Sequence, residues 1–291
     1  GEGGGGQYRE RAAELYRGLK AENDTHYMAN LRLTHWYFEK GQFRDAKKCA
    51  EKVLAYGTDD AFMELLAKIN GHLEAELEEK YGQTGKWEPA LELCWCYLQD
   101  GRTVRGLQLA RKLEKLLPPE KEAEYHGLMA KLYVEQAEYG KSIEMTRRWE
   151  ISLKAKMQRQ AQEGKEETEK DRDRLRQAHL IRMQCYHNLG FADEEKFELA
   201  VEEGKHILGD GMVCSGTKDI GIFLDLAQIY MEMEEYEKSL EIAQMLVEEQ
   251  QVFAAYASSL EVYRRQLDAG GVVRAASQCI RYFPGFVKSY E

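Results

Sequence analysis

Proline, β-branched residues and long apolar runs are all scarce in this sequence. Four prolines stand among 291 residues, of which 32% are charged. Strands favour β-branched residues and frequent turns, so this composition favours helices. The longest uncharged stretch, around Val252 to Leu260, is far shorter than the roughly 20 apolar residues that span a bilayer. We therefore expect an all-α chain without a membrane-inserted segment.

An excess of basic residues is also absent. The 41 lysine and arginine residues are outnumbered by 51 aspartate and glutamate residues, which gives a net charge of −10. Nucleic-acid binding draws its affinity from clustered basic side chains that release counterions from phosphates. This charge balance predicts no nucleic-acid partner.

The six cysteines include no Cys-x-x-Cys pair. They stand at Cys49, Cys94, Cys96, Cys185, Cys214 and Cys279. Most occupy apolar positions of predicted helices, where cysteine behaves as a small hydrophobic residue. Unpaired buried thiols are typical of a reducing compartment, so we expect a cytoplasmic protein. Because the sequence begins at Gly1 and not at methionine, we also expect native sequence upstream, with a removed leader or lipoprotein signal as an open alternative.

Catalytic signatures are missing as well. The seven histidines contain no His-x-x-x-His pair of the kind that binds zinc on one helix face. Gly82 to Lys86 partly matches a phosphate-binding loop, but it follows a predicted helix where that motif requires a strand. Carboxylate pairs such as Glu234-Glu235 are interpreted as solvated helix faces. The sequence predicts no catalytic residue, no metal and no cofactor, and hence no enzyme.

Apolar residues at three- and four-residue spacing predict fourteen helices joined by short turns. The predicted ranges are 7–20, 25–40, 43–56, 59–81, 87–99, 103–117, 120–136, 139–163, 167–189, 193–208, 217–233, 236–250, 252–267 and 272–282. Residues 1–6, which include four consecutive glycines, are interpreted as a flexible linker. Residues 7–291 are interpreted as one helical array.

One order of residues recurs along this array. A tyrosine near the end of one helix is followed by a turn residue, by a second aromatic six residues on, and by a small residue three later. The order occurs in Tyr37, Gly41, Phe43 and Ala46; in Tyr133, Ala137, Tyr139 and Ser142; and in Tyr230, Glu234, Tyr236 and Ser239. It resembles the tetratricopeptide repeat, a helical hairpin of 34 residues. The resemblance covers about residues 27–286 and implies a right-handed superhelix, an α-solenoid of stacked helix-turn-helix hairpins.

The repeat frame is open between residues 59 and 100. A frame set by Tyr81 makes the next helix the second of its pair, whereas a frame set by Tyr97 makes that same helix the first. We favour the second frame, in which Asn70 and Gly71 split the preceding helix into a short hairpin.

The segment 150–177 loses apolar residues and carries charges of both signs. We interpret it as a protruding hairpin of two long helices that meet near Gly164 and are stabilised by ion pairs. A docking arm for a partner is the alternative.

The resemblance implies that the first helices of successive hairpins line a concave groove that binds an extended peptide or a partner helix. The repeat phase projects twelve residues onto this groove. They are Met28, Leu31, His35, Phe38, Leu91, Trp95, Leu98, Gln184, His187, Gln228, Met231 and Arg264. We expect His35, Phe38, Trp95 and Leu98 to supply most of the contact energy, with ordinary interhelix packing as the alternative role.

The function that follows is a non-catalytic scaffold or adaptor with a protein or peptide partner. One alternative is a peptide- or ligand-sensing module of a larger protein, such as the C-terminal part of a J-domain co-chaperone of a kind found in bacteria. A hydrolase with a dispersed site is the third hypothesis.

Overall fold

The computed structural model describes residues 3–164, 166, 168–209, 214, 216–250 and 253–282. These residues form fourteen α-helices and one 3-10 turn, and they contain no strand. The helices are α1 Gly3–Glu22, α2 Tyr27–Glu39, α3 Phe43–Leu54, α4 Asp60–Thr84, α5 Trp87–Gln99, α6 Thr103–Leu113, α7 Glu122–Glu135, α8 Tyr139–Gln162, α9 Glu169–Gly190, α10 Glu195–Leu208, α11 Thr217–Glu232, α12 Tyr236–Gln250, α13 Phe253–Arg265 and α14 Ala269–Tyr282. Every end lies within four residues of its predicted place, so the all-α prediction is confirmed.

The first helix differs from expectation at its start. α1 begins at Gly3, so the glycine run that the sequence predicts to be a flexible linker lies inside the helix. Glycine is a poor helix former, but adding residues to a helix that is already nucleated costs far less than starting one. Residues 1 and 2 lie outside the described part of the chain.

The chain divides into two compact units at the Leu117–Pro118 bond, and each is described by itself. Unit 1 holds α1 to α6, and unit 2 holds α7 to α14. Within each unit every helix packs against the next one in sequence. Among the described helices, none combines the length and the apolar composition that crossing a bilayer requires.

Five hairpins share one turn geometry. In each, the fourth residue after a tyrosine has a positive φ, and the N–H of the fifth residue donates to the tyrosine carbonyl at 2.8–2.9 Å. The pairs of tyrosine and positive-φ residue are Tyr37 and Gly41, Tyr97 and Gly101, Tyr133 and Ala137, Tyr230 and Glu234, and Tyr263 and Leu267. This is the Schellman helix end, which satisfies the last carbonyls of a helix and reverses the chain. The recurrence at one tyrosine spacing shows that the five hairpins repeat one structural unit, in the order of residues that resembles the tetratricopeptide repeat.

The small residue of the pattern lies where the two helices of a hairpin cross. Ala46 and Ser142 are fully buried, and Ser239 is nearly so. The Ser142 hydroxyl donates to the carbonyl of Ala130 at 2.9 Å, and the Ser239 hydroxyl donates to that of Ala227 at 2.7 Å. A small side chain therefore allows close approach, and its hydroxyl finds a partner in the facing helix.

The predicted split of the fourth helix is wrong, because α4 runs without a break for 25 residues. Its buried residues recur every four positions, at Leu65, Ile69, Leu73 and Leu77, on both sides of the Asn-Gly pair. This stripe packs continuously against its neighbours, and burial of the stripe outweighs the local turn signal. The favoured frame nevertheless holds for α5, because Tyr97 ends it with the same turn as the other first helices.

Because α4 is a single helix, the hairpin that follows it is reversed with respect to the two layers of unit 1. Its first helix, α5, lies in the layer of the preceding second helix, α3. The ring of Phe38 on α2 lies 6.0 Å from the ring of His72 on α4. Lys47 on α3 donates to Gln99 on α5 at 2.6 Å. One layer therefore holds α2 and α4, and the other holds α3 and α5.

In unit 2 the first helices α7, α9, α11 and α13 lie side by side in one layer. Three polar contacts join neighbours in this order. They are Lys131 with Gln177 at 3.3 Å, Arg176 with Asp219 at 2.5 Å, and Arg265 with Glu232 at 3.1 Å. This is the layer that the repeat resemblance predicts to bind a partner.

The long helix α8 ends in a turn at Glu163 and Gly164, and α9 begins at Glu169. Buried Trp149, Leu153 and Ala178 pack between them, and Lys156 pairs with Asp171 at 2.7 Å. Although burial opposes ionisation, hydrogen bonds, above all from Lys156, hold the pKa of the Asp171 carboxyl below its ordinary value. The buried carboxylate thus stabilises the junction of the two helices.

Candidate functional site

The predicted groove residues of α2 do not form one surface. Met28 is exposed, whereas Leu31 is half-buried against Val53 and Phe62. Phe38 is half-buried in the cluster that contains Leu65 and Ile69. These two apolar side chains contribute to the core of unit 1.

His35 is exposed and lines a shallow hollow of about 250 Å³ between α1 and α2. The aromatic side chains of Tyr16 and Trp36 and the cations of Arg9 and Arg32 also line this hollow. The hollow therefore involves α1, which lies outside the stretch that resembles the repeat.

The predicted residues of α5 divide between the core and a second hollow. Leu91 is 3% exposed and belongs to the core, and Leu98 is half-buried. Trp95 lines a hollow of about 310 Å³ together with Lys47 and Leu73. Because α2 and α5 lie in opposite layers, the hollows of His35 and Trp95 are separate, and unit 1 has no continuous groove through the four predicted anchors.

In unit 2 two predicted residues do meet. Gln184 and His187 on α9 face α11 across a hollow of about 410 Å³. Its lining is apolar at the base and polar at the rim. The lining residues are Leu180, Ile181, Met183, Gln184, His187, Asn188, Asp225 and Ile229.

His187 is half-buried, and its ring lies 5.5 Å from that of Phe191 and 5.9 Å from that of Phe197. Its Nε2 is buried and has no hydrogen-bond partner among the described residues. Burial lowers the pKa of the imidazole below its ordinary 6.5. The ring is therefore neutral at pH 7.

Asp225 is the acidic residue of the hollow. It is exposed at the rim, yet desolvation by the surrounding protein raises the pKa of its carboxyl above the ordinary 3.8. With His187 neutral, Asp225 is the charged group of the lining at neutral pH. Asp225 is not among the residues that the repeat phase projects onto the groove, although it lies one helical turn before Gln228 and therefore on the same face.

The two amide side chains of the rim differ in their freedom. Asn188 accepts from the hydroxyl of Tyr139 at 3.3 Å and donates to the carbonyl of Gln184 at 2.8 Å. Gln184 is exposed, so its amide can form hydrogen bonds with a bound chain. After these two bonds Asn188 retains one N–H and one lone pair, fewer than the exposed amide of Gln184 offers.

The other three groove residues predicted in unit 2, Gln228, Met231 and Arg264, do not line this hollow. Gln228 donates to Glu232, and Met231 is 3% exposed and part of the core. Arg264 is exposed and pairs with Glu261 at 2.9 Å. The candidate site therefore consists of the hollow between α9 and α11, and it excludes Met231.

A buried ion network adjoins this layer and was not anticipated. The guanidinium of Arg182 on α9 donates to Glu203 on α10 and to Glu150 on α8, both at 2.7 Å. Glu203 also contacts Nδ1 of His179 at 2.6 Å. An arginine among the apolar positions of α9 was its only signal in the sequence.

Among the described residues, no three His, Cys, Asp or Glu side chains are grouped so as to hold a metal ion.

Neither a protein-family model nor a curated protein sequence matches this chain. Solved structures of helical-repeat proteins are similar to it at low identity. A putative kinesin light chain with TPR-like repeats from Podosopora anserina is 14% identical, with 66% of this chain and 92% of that chain covered and a TM-score of 0.47. A tetratricopeptide repeat protein from Parabacteroides merdae is 12% identical, with 91% and 96% covered and a TM-score of 0.44.

The C-terminal part of a TPR repeat-containing protein from Cytophaga hutchinsonii is 13% identical, with 97% of this chain and 93% of that chain covered and a TM-score of 0.33. At such values the fold assignment depends on the hairpins themselves, which share one turn, one tyrosine and one small-residue position. By those hairpins the chain has a helical-repeat fold that resembles a divergent tetratricopeptide repeat.

Proposed function

We propose that this protein is a non-catalytic interaction scaffold that binds a peptide or a partner helix on the first-helix layer of unit 2. The observation that carries the proposal is the hollow between α9 and α11, which lies on the predicted layer and includes Gln184 and His187. Its apolar base suits a side chain, and its polar rim suits a backbone, which is the division of labour in peptide recognition.

A sensing role is the second candidate. A hollow of about 410 Å³ also falls in the size range of small-molecule sites, which is roughly 300–1,000 Å³. In that case a small ligand would compete with every peptide bound there. Peptide binding that no small molecule displaces favours the scaffold.

The test is a synthetic array of twelve-residue peptides of random composition, probed with the purified protein. Gln184→Tyr fills the mouth of the hollow, and we expect it to weaken retained peptides about tenfold or more. Gln108→Tyr, on an exposed position of α6 in unit 1, is the matched control and should bind as the wild type does. Equal binding by Gln184→Tyr and Gln108→Tyr would show that peptides bind outside this hollow. Gln158→Tyr on α8 would then test the hairpin of the long helices α8 and α9.

The non-catalytic part has its own test. Purified protein is incubated with generic phosphatase, esterase and peptidase substrates, and we expect no turnover above the buffer rate. Turnover that co-purifies with the protein and is lost on unfolding would revive the hydrolase hypothesis.

A further inference from the structure

We propose that the hollow between α9 and α11 holds an arginine or lysine side chain of the bound peptide, with its cation paired to Asp225. The inference rests on the proposed function and adds the chemical class of the ligand. It stands on three features of the hollow, namely its charge, its shape and the freedom of its carboxylate.

The carboxylate of Asp225 differs from its neighbours in having no cation beside it. Asp219, six residues earlier on α11, pairs with Arg176, and Glu232, seven residues later, pairs with Arg265. Among the described residues no lysine or arginine pairs with Asp225, although protein surrounds it closely enough to raise its pKa. A partly desolvated carboxylate without a counterion is favoured to accept one from a ligand.

The other lining groups do not compete for that role. His187 is neutral at pH 7 because burial lowers its pKa, so it neither neutralises Asp225 nor repels a cation. Asn188 bonds to Tyr139 and to the helix backbone, and its neutral amide adds no charge to the hollow. A cation entering the hollow therefore meets one negative charge and no positive one among the lining residues.

The shape suits a long basic side chain. Leu180, Ile181 and Ile229 form an apolar wall, while Asp225 stands at the rim. Lysine and arginine bury their methylene stems along apolar surface and keep the charged head at a polar edge. The exposed amide of Gln184 lines the same hollow, and its N–H groups and its oxygen can bond to the backbone of such a peptide.

The experiment uses the peptide array with the whole chain. For each retained peptide that contains arginine, a copy carries citrulline, which keeps the size and removes the charge. We expect retained peptides to be enriched in arginine and lysine, and each citrulline copy to bind the wild type about tenfold or more weakly. Asp225→Asn should bind the arginine peptide and its citrulline copy equally. Asp225→Lys should prefer a copy in which glutamate replaces the arginine.

The control separates a specific pair from diffuse attraction, because a chain of net charge −10 attracts any basic peptide. Asp193→Asn makes the same change of charge in the α9–α10 turn, where Asp193 pairs with Lys196 at 3.0 Å. It should keep the arginine preference in full. An equal loss in Asp193→Asn and Asp225→Asn would overturn the assignment to Asp225.

Two further outcomes distinguish the inference from the function on which it rests. If peptides bind without preference for arginine or lysine, and Gln184→Tyr still weakens them, the scaffold stands and the cation site is wrong. If the wild type retains no peptide of any composition, both proposals fail. Circular dichroism of each variant confirms that binding is compared between folded proteins.

Discussion

The guanidinium of Arg182 is buried between two carboxylates, one from Glu150 on α8 and one from Glu203 on α10. A buried ion pair adds little net stability over apolar packing, but removing one partner leaves the other charge buried and unpaired. Arg182→Ala should therefore lower the free energy of unfolding by about 3–5 kcal/mol at pH 7. Arg148→Ala, which breaks an exposed pair with Glu144 on the same helix α8, should cost about 0.5 kcal/mol or less.

The difference in unfolding free energy between the wild type and Arg182→Ala should depend on pH in one direction. Burial opposes ionisation of Glu150 and Glu203, yet the hydrogen bonds and charges that include Arg182 hold the pKa of both carboxyls below the ordinary 4.5. Groups with a lowered pKa stabilise the fold above their unfolded pKa, and that stabilisation is lost as the pH falls through the folded pKa. Urea unfolding of the wild type and Arg182→Ala should thus show a gap that narrows below pH 4.5. A constant gap would mean that the cost is packing alone.

At the scale of the element, two helical glycines predict opposite effects of the same substitution. Gly71 lies exposed in α4, and a Cβ there meets no atom within 4 Å. Gly204 lies buried in α10, and a Cβ there would come within 2.7 Å of the side chain of Leu226, which is itself fully buried. The first site has room for a methyl group, and the second does not.

Gly71→Ala should raise the free energy of unfolding by about 0.5–1 kcal/mol, because alanine loses less backbone entropy in a helix. Gly204→Ala should lower it by about 1–3 kcal/mol through overpacking. Chemical denaturation followed by circular dichroism measures both. Shifts of the same sign would contradict the close approach of α10 and α11 at Gly204.

The helices illustrate what local sequence can and cannot predict. Tyr37, Tyr97 and Tyr230 precede their turns at a constant spacing, so periodicity alone located the hairpins. Asn70 and Gly71 are a genuine turn signal, yet they lie in the middle of α4, because burial of the flanking leucine and isoleucine stripe decides the outcome. Turn propensity is local, whereas this burial depends on helices distant in sequence.

For the candidate site, too, the sequence predicts some residues correctly and not others. The repeat phase implied by the resemblance predicts Gln184 and His187 on the first-helix layer, and both line the hollow between α9 and α11. The same phase also selected Leu91 and Met231, which neighbouring helices bury to 3% exposure. Phase determines the direction in which a side chain points, and only the packing of other helices determines whether that direction is open.

At the scale of the whole molecule, the cysteines report on the integrity of each unit. Burial raises the pKa of Cys94 in unit 1 to about 12 and also raises that of Cys185 in unit 2, so both thiols are protonated and shielded at pH 8. Cys214, by contrast, is half-buried. Iodoacetamide should therefore label Cys214 first in the native protein, and Cys94 and Cys185 only as the unit that holds each one unfolds.

Mass spectrometry of labelled peptides across a urea series measures the order. Cys214→Ser, which removes the fast site, is the control and should leave the labelling of the other two thiols unchanged. Rapid labelling of Cys94 in the absence of urea would show that the core of unit 1 opens far more readily than its burial indicates.

The single helix α4 shifts the alternation of first and second helices between the two layers of unit 1 by one helix. The hairpin α5–α6 keeps its own turn and its tyrosine, yet α5 lies beside α3, a second helix, and not beside α2. Every residue of α5 has thereby exchanged the layer that its repeat position specifies. Inserting or deleting one single helix such as α4 would therefore move the exposed face of every later hairpin helix to the other layer of the unit, without any substitution in that face.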